Sequence, residues 1–185
     1  MYAGLRVVPI LGERMSSPSS SANHAQWEAL VGRAILCFGD IELISIKCLA
    51  LIPSDKIGDS AARMDFYRRA ELLIEILEAR PERDANLNAI LLGIKRAKVL
   101  AKTRNLIAHN PVMMNLYVND DETEAFAQHA ISSARAGNQT LDLDDLKEFA
   151  AEVEDLSSTL WLTFMKLTGA SDHLWRVRSE ERRDE

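Results

Sequence analysis

The stretch Lys102-Thr103-Arg104-Asn105-Leu106-Ile107-Ala108-His109-Asn110-Pro111 places a guanidinium, an amide and an imidazole close together at the end of an apolar helical pattern. Arginine stays protonated at physiological pH, and its forked donors match two oxygens of a phosphate. Histidine titrates close enough to neutrality to take or give a proton. Such a set suits acid–base chemistry beside a phosphate. A local reading competes with it. Cationic side chains suit the negative end of a helix, asparagine suits a cap, and Pro111 biases Asn110 away from helical geometry.

Three features favour the functional reading. On an ideal helix of ~100° per residue, Arg104 falls on the side of Ala97, Leu100 and Ile107, where a charge is costly unless it meets a partner. Lys95, Lys98, Lys102 and Asn105 form a separate polar stripe that leads to His109, and a basic face suits a polyanion. His109 stands where Pro111 ends the helix, so it can turn back towards Arg104. The charge distribution agrees. The net charge is −6, yet no Asp or Glu occurs from Ala85 to Asn119, where Lys95, Arg96, Lys98, Lys102, Arg104 and His109 all lie.

The elements that must position these residues read as helices. Leu, Ile and Ala dominate a chain of 185 residues, a length that fits one domain with tails. Residues 1–22, ending in a serine-rich run, are expected to be a disordered or loosely attached arm. Residues 23–170 read as one helical domain, and 171–185 as a charged tail. The first helix is expected from about Ala25 to Leu51, with Trp27, Leu30, Ala34, Phe38, Ile41, Ile44 and Cys48 inward. The second covers about Ala61 to Ala79, and the third runs from an Asp84 cap to about Ala108. Between Val112 and Leu141 the helical period gives way to alternation, which predicts a β-hairpin or long excursion. A last helix begins at an Asp142 cap and stops near Gly169. The fold class is therefore all-α: an up-and-down four-helix bundle with a hairpin or excursion inserted before the last helix.

Other chemistries find less support. Cys37 and Cys48 would lie ~16 Å apart along one helix, too far for a disulfide. With no signal peptide visible, this suggests a reducing, cytoplasmic setting. The longest apolar segment carries Arg33, Asp40, Glu42 and Lys47, so no membrane span is expected. His24, His129 and His173 are scattered, no Cys/His pair has ligand spacing, and neither a metal nor another cofactor is expected. Gly32 and Gly39 share one helix face, which suits a close helix crossing or a tolerated surface position. Asp40 and Glu42 interrupt an apolar segment. Solvent exposure explains both, and Glu42 alternatively supports Arg104 from behind. Tyr117 and Phe126 fit strand packing or base stacking.

The segment Arg104-Asn105-Leu106-Ile107-Ala108-His109 resembles the Arg-polar-spacer-His signature of the HEPN superfamily. The order of elements is similar too: a helical bundle, the motif at the end of the third long helix, then a variable insert. Gly39-Asp40-Ile41-Glu42 on the first helix resembles a Gly-x-Ile-Glu segment of a bacterial group whose motif is also followed by Asn-Pro. The likeness spans roughly residues 25–168. It implies a metal-independent endoribonuclease acting as a homodimer with the two motifs facing each other. By that resemblance His109 is the general acid/base, Arg104 the phosphate ligand, and Asn105 the polar residue that supports the pair. Lys95, Lys98 and Lys102 would guide the RNA backbone. A bacterial toxin or phage-defence role, with a cognate antitoxin, is among the implications. One toxin subgroup has a tyrosine two residues after the histidine, and Pro111 stands there instead. The superfamily also contains inactive members, so the alternative is a non-catalytic helical module that binds RNA or protein.

Overall fold

The computed structural model describes residues 5–10, 18–52, 60–119, 125–133 and 139–169. Its elements are β1 (Leu5–Ile10), α1 (Pro18–Ala50), α2 (Phe66–Glu78), α3 (Ala85–His109), β2 (Val112–Asn119), β3 (Ala125–Ser132), β4 (Thr140–Leu141) and α4 (Leu143–Leu167). The chain is thus mostly helical, with a small antiparallel sheet of order β1-β2-β3-β4.

The helices start and stop where local chemistry dictates. Asp84 accepts from the Leu87 amide at 2.8 Å and opens α3. Asp142 accepts from the Asp145 amide at 2.9 Å, while Asp145 accepts in return from the Asp142 amide at 3.3 Å. Each bond occupies a donor that has no partner inside the helix. Gly169, with φ +69°, takes the left-handed position that follows a helix C-terminus. Pro18 heads α1, where its missing N–H costs nothing.

Two expectations needed correction. The second helix is not continuous from Ala61. A short helical turn at residues 60–63 is separate from α2, because Asp65 turns extended (φ −61°, ψ 158°) and accepts from the Arg68 amide. The N-terminal arm is not unstructured throughout. Leu5–Ile10 pairs antiparallel with β2, from Leu5 opposite Asn119 to Ile10 opposite Met114, and α1 already begins at Pro18. Pro9 is tolerated because β1 is an edge strand. The expected hairpin is present as β2 and β3, with Val112 opposite Ile131 and Tyr117 opposite Phe126. Its turn and the charged tail lie outside the described residues.

The chain divides into two compact units, Met1–Ile35 with Lys102–Glu152, and Leu36–Ala101 with Val153–Glu185. The first holds the sheet and the Arg104–His109 segment. In it Trp27, Ala34, Ile107, Ala130, Ile131, Leu146 and Phe149 are buried. Asn115 is buried as well and donates to the Ser132 hydroxyl at 3.0 Å, which ties β2 to β3 by side chains.

The second unit is built on Phe38, Ile41, Ile44, Leu49, Leu73, Ile90, Ile94, Val153 and Leu160. Phe38 and Phe66 meet edge to face at 5.1 Å, which fixes α2 on α1. At Gly93 an added Cβ would stand 2.6 Å from Leu160 Cδ2, so α3 and α4 pack tightly there. Gly32 and Gly39 have nothing within 4 Å of that position. Among the described helical glycines, Gly93 is therefore the one at a close crossing.

Arg69, 3% exposed, is the one buried cation of the described core. Its Nε donates to Ser45 Oγ at 2.8 Å, its Nη1 donates to the carbonyls of Ala61 and Met64, and its Nη2 lies 3.6 Å from Glu42. These bonds hold the 60–63 turn against α1 and α2. Burial pulls the Arg69 guanidinium below its ordinary range, with Glu42 and Asp65 opposing the shift.

Candidate phosphate-binding site at the end of α3

Helix α3 ends at His109 because Pro111 cannot continue it and Asn110 folds back. The Asn110 amide donates to the Leu106 carbonyl at 2.8 Å, satisfying an acceptor that the last turn leaves over. Ala97, Leu100 and Ile107 are all buried. On the same side of the helix, Arg104 is half-buried and its Nε is shielded from solvent. Its Nη1 emerges at the surface and donates to Asn105 Oδ1 at 3.0 Å.

That bond orients both groups. With Oδ1 committed to the guanidinium, the amide N–H₂ end of Asn105 points away from Arg104. Asn105 and His109 are both exposed and four residues apart, so their Cβ atoms stand about 5–6 Å apart on the helix surface. Asn105 thus lies between guanidinium and imidazole. The three side chains form a short polar ridge of donors, with the exposed Lys102 one turn before His109's own turn.

Two lysines of the basic stripe have acidic neighbours on α2. Lys95 Nζ lies 2.6 Å from Glu78, and Lys98 Nζ lies 2.8 Å from Glu71. Lys98 also sits 4.8 Å over the ring of Tyr67. The hydrogen bond from Lys95 holds the Glu78 carboxyl below the usual carboxylate range. The bond to Glu71 pushes the Lys98 ammonium up. Both lysines thus link α3 to α2 through exposed ion pairs, while Lys102 is exposed near the ridge. Glu42, expected behind Arg104, pairs with Arg69.

Sequence reasoning missed Arg69 and the lysine clasp because both depend on which helix lies opposite. It missed Gly93 for the same reason. Of the remaining histidines, His24 lies 3.4 Å from Glu28 and His129 is exposed on β3. Among the described residues, no three His, Cys, Asp or Glu side chains group as a metal site, and no helix is long and apolar enough to cross a membrane. No protein-family model, curated protein or solved structure matches this chain.

Proposed function

We propose that the chain is a metal-independent endoribonuclease of the HEPN kind, working as a homodimer on a four-helix bundle. The bundle departs from the expected up-and-down order, since Phe38 meets Phe66 and Ser45 meets Arg69, so α1 and α2 run parallel. The bundle reading is supported by one apolar cavity of about 160 Å³, lined by Cys48 of α1, Leu73 of α2, Leu87 of α3 and Leu167 of α4. The catalytic reading is supported above all by the Arg104–Asn105 hydrogen bond, which presents donors at the surface beside an exposed His109.

RNA supplies the nucleophile in its own 2′-OH. Histidine removes that proton as the 2′-oxygen bonds to phosphorus, and the bond from phosphorus to the 5′-oxygen breaks. The leaving 5′-oxygen takes a proton, which the second protomer's histidine can give. Arg104 neutralises the charge developing on the non-bridging oxygens, with Asn105 as a further donor. The products are a 2′,3′-cyclic phosphate and a 5′-hydroxyl. A toxin or phage-defence role in the cytoplasm, with a cognate antitoxin, belongs to the same reading.

One observation favours a second reading. Lys95 and Lys98 are taken up by Glu78 and Glu71, which leaves a smaller basic surface for RNA. On that reading the ridge contacts phosphate or a protein without turnover. RNA cleavage by the wild-type chain, set against His109→Ala and Arg104→Ala, separates the two. On the first reading each variant loses at least ~100-fold in rate while keeping its helical content. Wild-type protein that binds RNA and leaves it intact establishes the second.

A further inference from the structure

The second compact unit holds the cavity of about 160 Å³, and every residue that lines it belongs to that unit. Protein interiors keep few voids larger than a water molecule, and an apolar cavity of roughly 150 Å³ admits a benzene ring. Leu73, Leu77 and Ile90, each at most 4% exposed, form its floor. Cys48 belongs to the wall. Burial pushes its thiol up to about 12, so it stays protonated and brings no charge. Leu51, 49% exposed, and the exposed Arg80 mark the mouth. The cavity is apolar at depth and cationic at its entrance.

We propose that this cavity binds a small monocarboxylate, with one aromatic ring held inside and the carboxylate on Arg80. The volume sets the body of the ligand, and the leucine and isoleucine floor favours a part with no polar atoms to desolvate. Arg80 sets the head, because its forked donors match the two oxygens of a carboxylate. The neighbours of Arg80 are engaged with one another. Arg83 Nη1 donates to the carbonyls of Leu77, Glu78 and Arg80 at 2.9, 3.1 and 3.3 Å, which covers the acceptors at the end of α2. The Glu78 carboxylate is held by Lys95, and no residue lining the cavity is acidic. The guanidinium of Arg80 is thus the charge that an entering ligand meets. Arg104, Asn105 and His109 belong to the first unit, so the proposal draws on none of the ribonuclease chemistry.

Phenylacetate and its neutral counterpart phenylacetamide test this on the full chain. Calorimetric titration at neutral pH should give phenylacetate a dissociation constant of about 1 mM or below, the range open to a ligand of roughly ten heavy atoms. The amide should bind about tenfold more weakly, the worth of a hydrogen bond between charged groups. Arg80→Gln should bring the acid to the level of the amide and leave the amide unchanged. Arg80 is exposed, so this variant should keep the wild-type helical signal. In wild-type protein with labelled methyls, the ring protons of the bound acid should show cross-relaxation to Leu73 and Ile90. Phenylacetate that fails to bind at ~10 mM overturns the proposal. So do equal affinities for acid and amide, an acid indifferent to Arg80→Gln, or ring contacts outside the cavity. Cross-relaxation of the same methyls with another segment of the chain or with a second copy, the acid being excluded, overturns it as well. Every readout is ligand binding in the second unit, so a chain that leaves RNA intact can still satisfy it.

Discussion

Asn105 accepts from Arg104 through Oδ1, and that single bond decides what its substitutions should do. Asn105→Ala removes one donor near the phosphate and should slow cleavage about tenfold, the worth of one hydrogen bond to a charged group. Asn105→Asp keeps the acceptor for Arg104 but sets a negative charge against the phosphate, so its loss should be larger. Equal rates for the two variants would mean that the amide end does not meet substrate. Arg104→Lys should also fail to restore the wild-type rate, because an ammonium lacks the fork. The two cysteines differ in the same residue-level way. Burial pushes the Cys48 thiol up to about 12, whereas Cys37 is only half-buried. Since the thiolate is the reactive form, alkylation of the native chain at mildly alkaline pH should label Cys37 well before Cys48. Peptide mass analysis reads this, and the difference should vanish in denaturant.

At the scale of elements, the glycines make opposite predictions. Gly39→Ala fills open space in a helix interior and should stabilise the isolated fold by up to ~1 kcal/mol. Gly93→Leu drives a side chain into Leu160 and should cost about 1–3 kcal/mol. Urea unfolding of both variants checks the pair. Arg69→Ala should cost roughly 3–5 kcal/mol, since it removes a buried cation beside Glu42 and the donors to Ser45 and two carbonyls. The Lys95–Glu78 clasp has a defined pH signature. The carboxyl is depressed in the folded state, so its contribution is complete above the ordinary carboxylate range and is lost as pH falls through the folded value. The stability gap between wild type and Lys95→Gln should therefore be present at pH 7 and close in acid. These elements also mark how far the sequence could be read. Asp84, Asp142, Gly169 and Pro111 act within one turn of chain, and the ends of α3 and α4 follow from them. The break at Asp65, the β1 edge strand and the lysine clasp each depend on a partner distant in sequence, and local pattern holds no record of it.

For the whole molecule, the balance of charge decides how RNA can be held. A chain of net charge −6 repels a polyanion except where its acids are absent, and in that region Lys95 and Lys98 face Glu78 and Glu71 while Lys102 and His109 are exposed. Lys102→Gln should weaken RNA binding uniformly across sequences and reduce the salt slope by about one. Lys95→Gln and Lys98→Gln should leave that slope unchanged, and a shared reduction would return the clasp lysines to the RNA surface. The candidate site was legible in sequence because Arg104, Asn105 and His109 share one helix end, where spacing alone sets their neighbourhood. Its supports were less so, because a pair such as Glu42–Arg69 joins two helices and depends on how they pack. The most direct test of the ribonuclease reading pairs two oligomers in excess chelator, one all-ribose and one with a single 2′-deoxy nucleotide on the 5′ side of the cleaved bond. The account predicts that the all-ribose oligomer is cut to a 2′,3′-cyclic phosphate and a 5′-hydroxyl while the deoxy bond stays intact. Cleavage of the deoxy bond, or activity that disappears with the chelator, would contradict it.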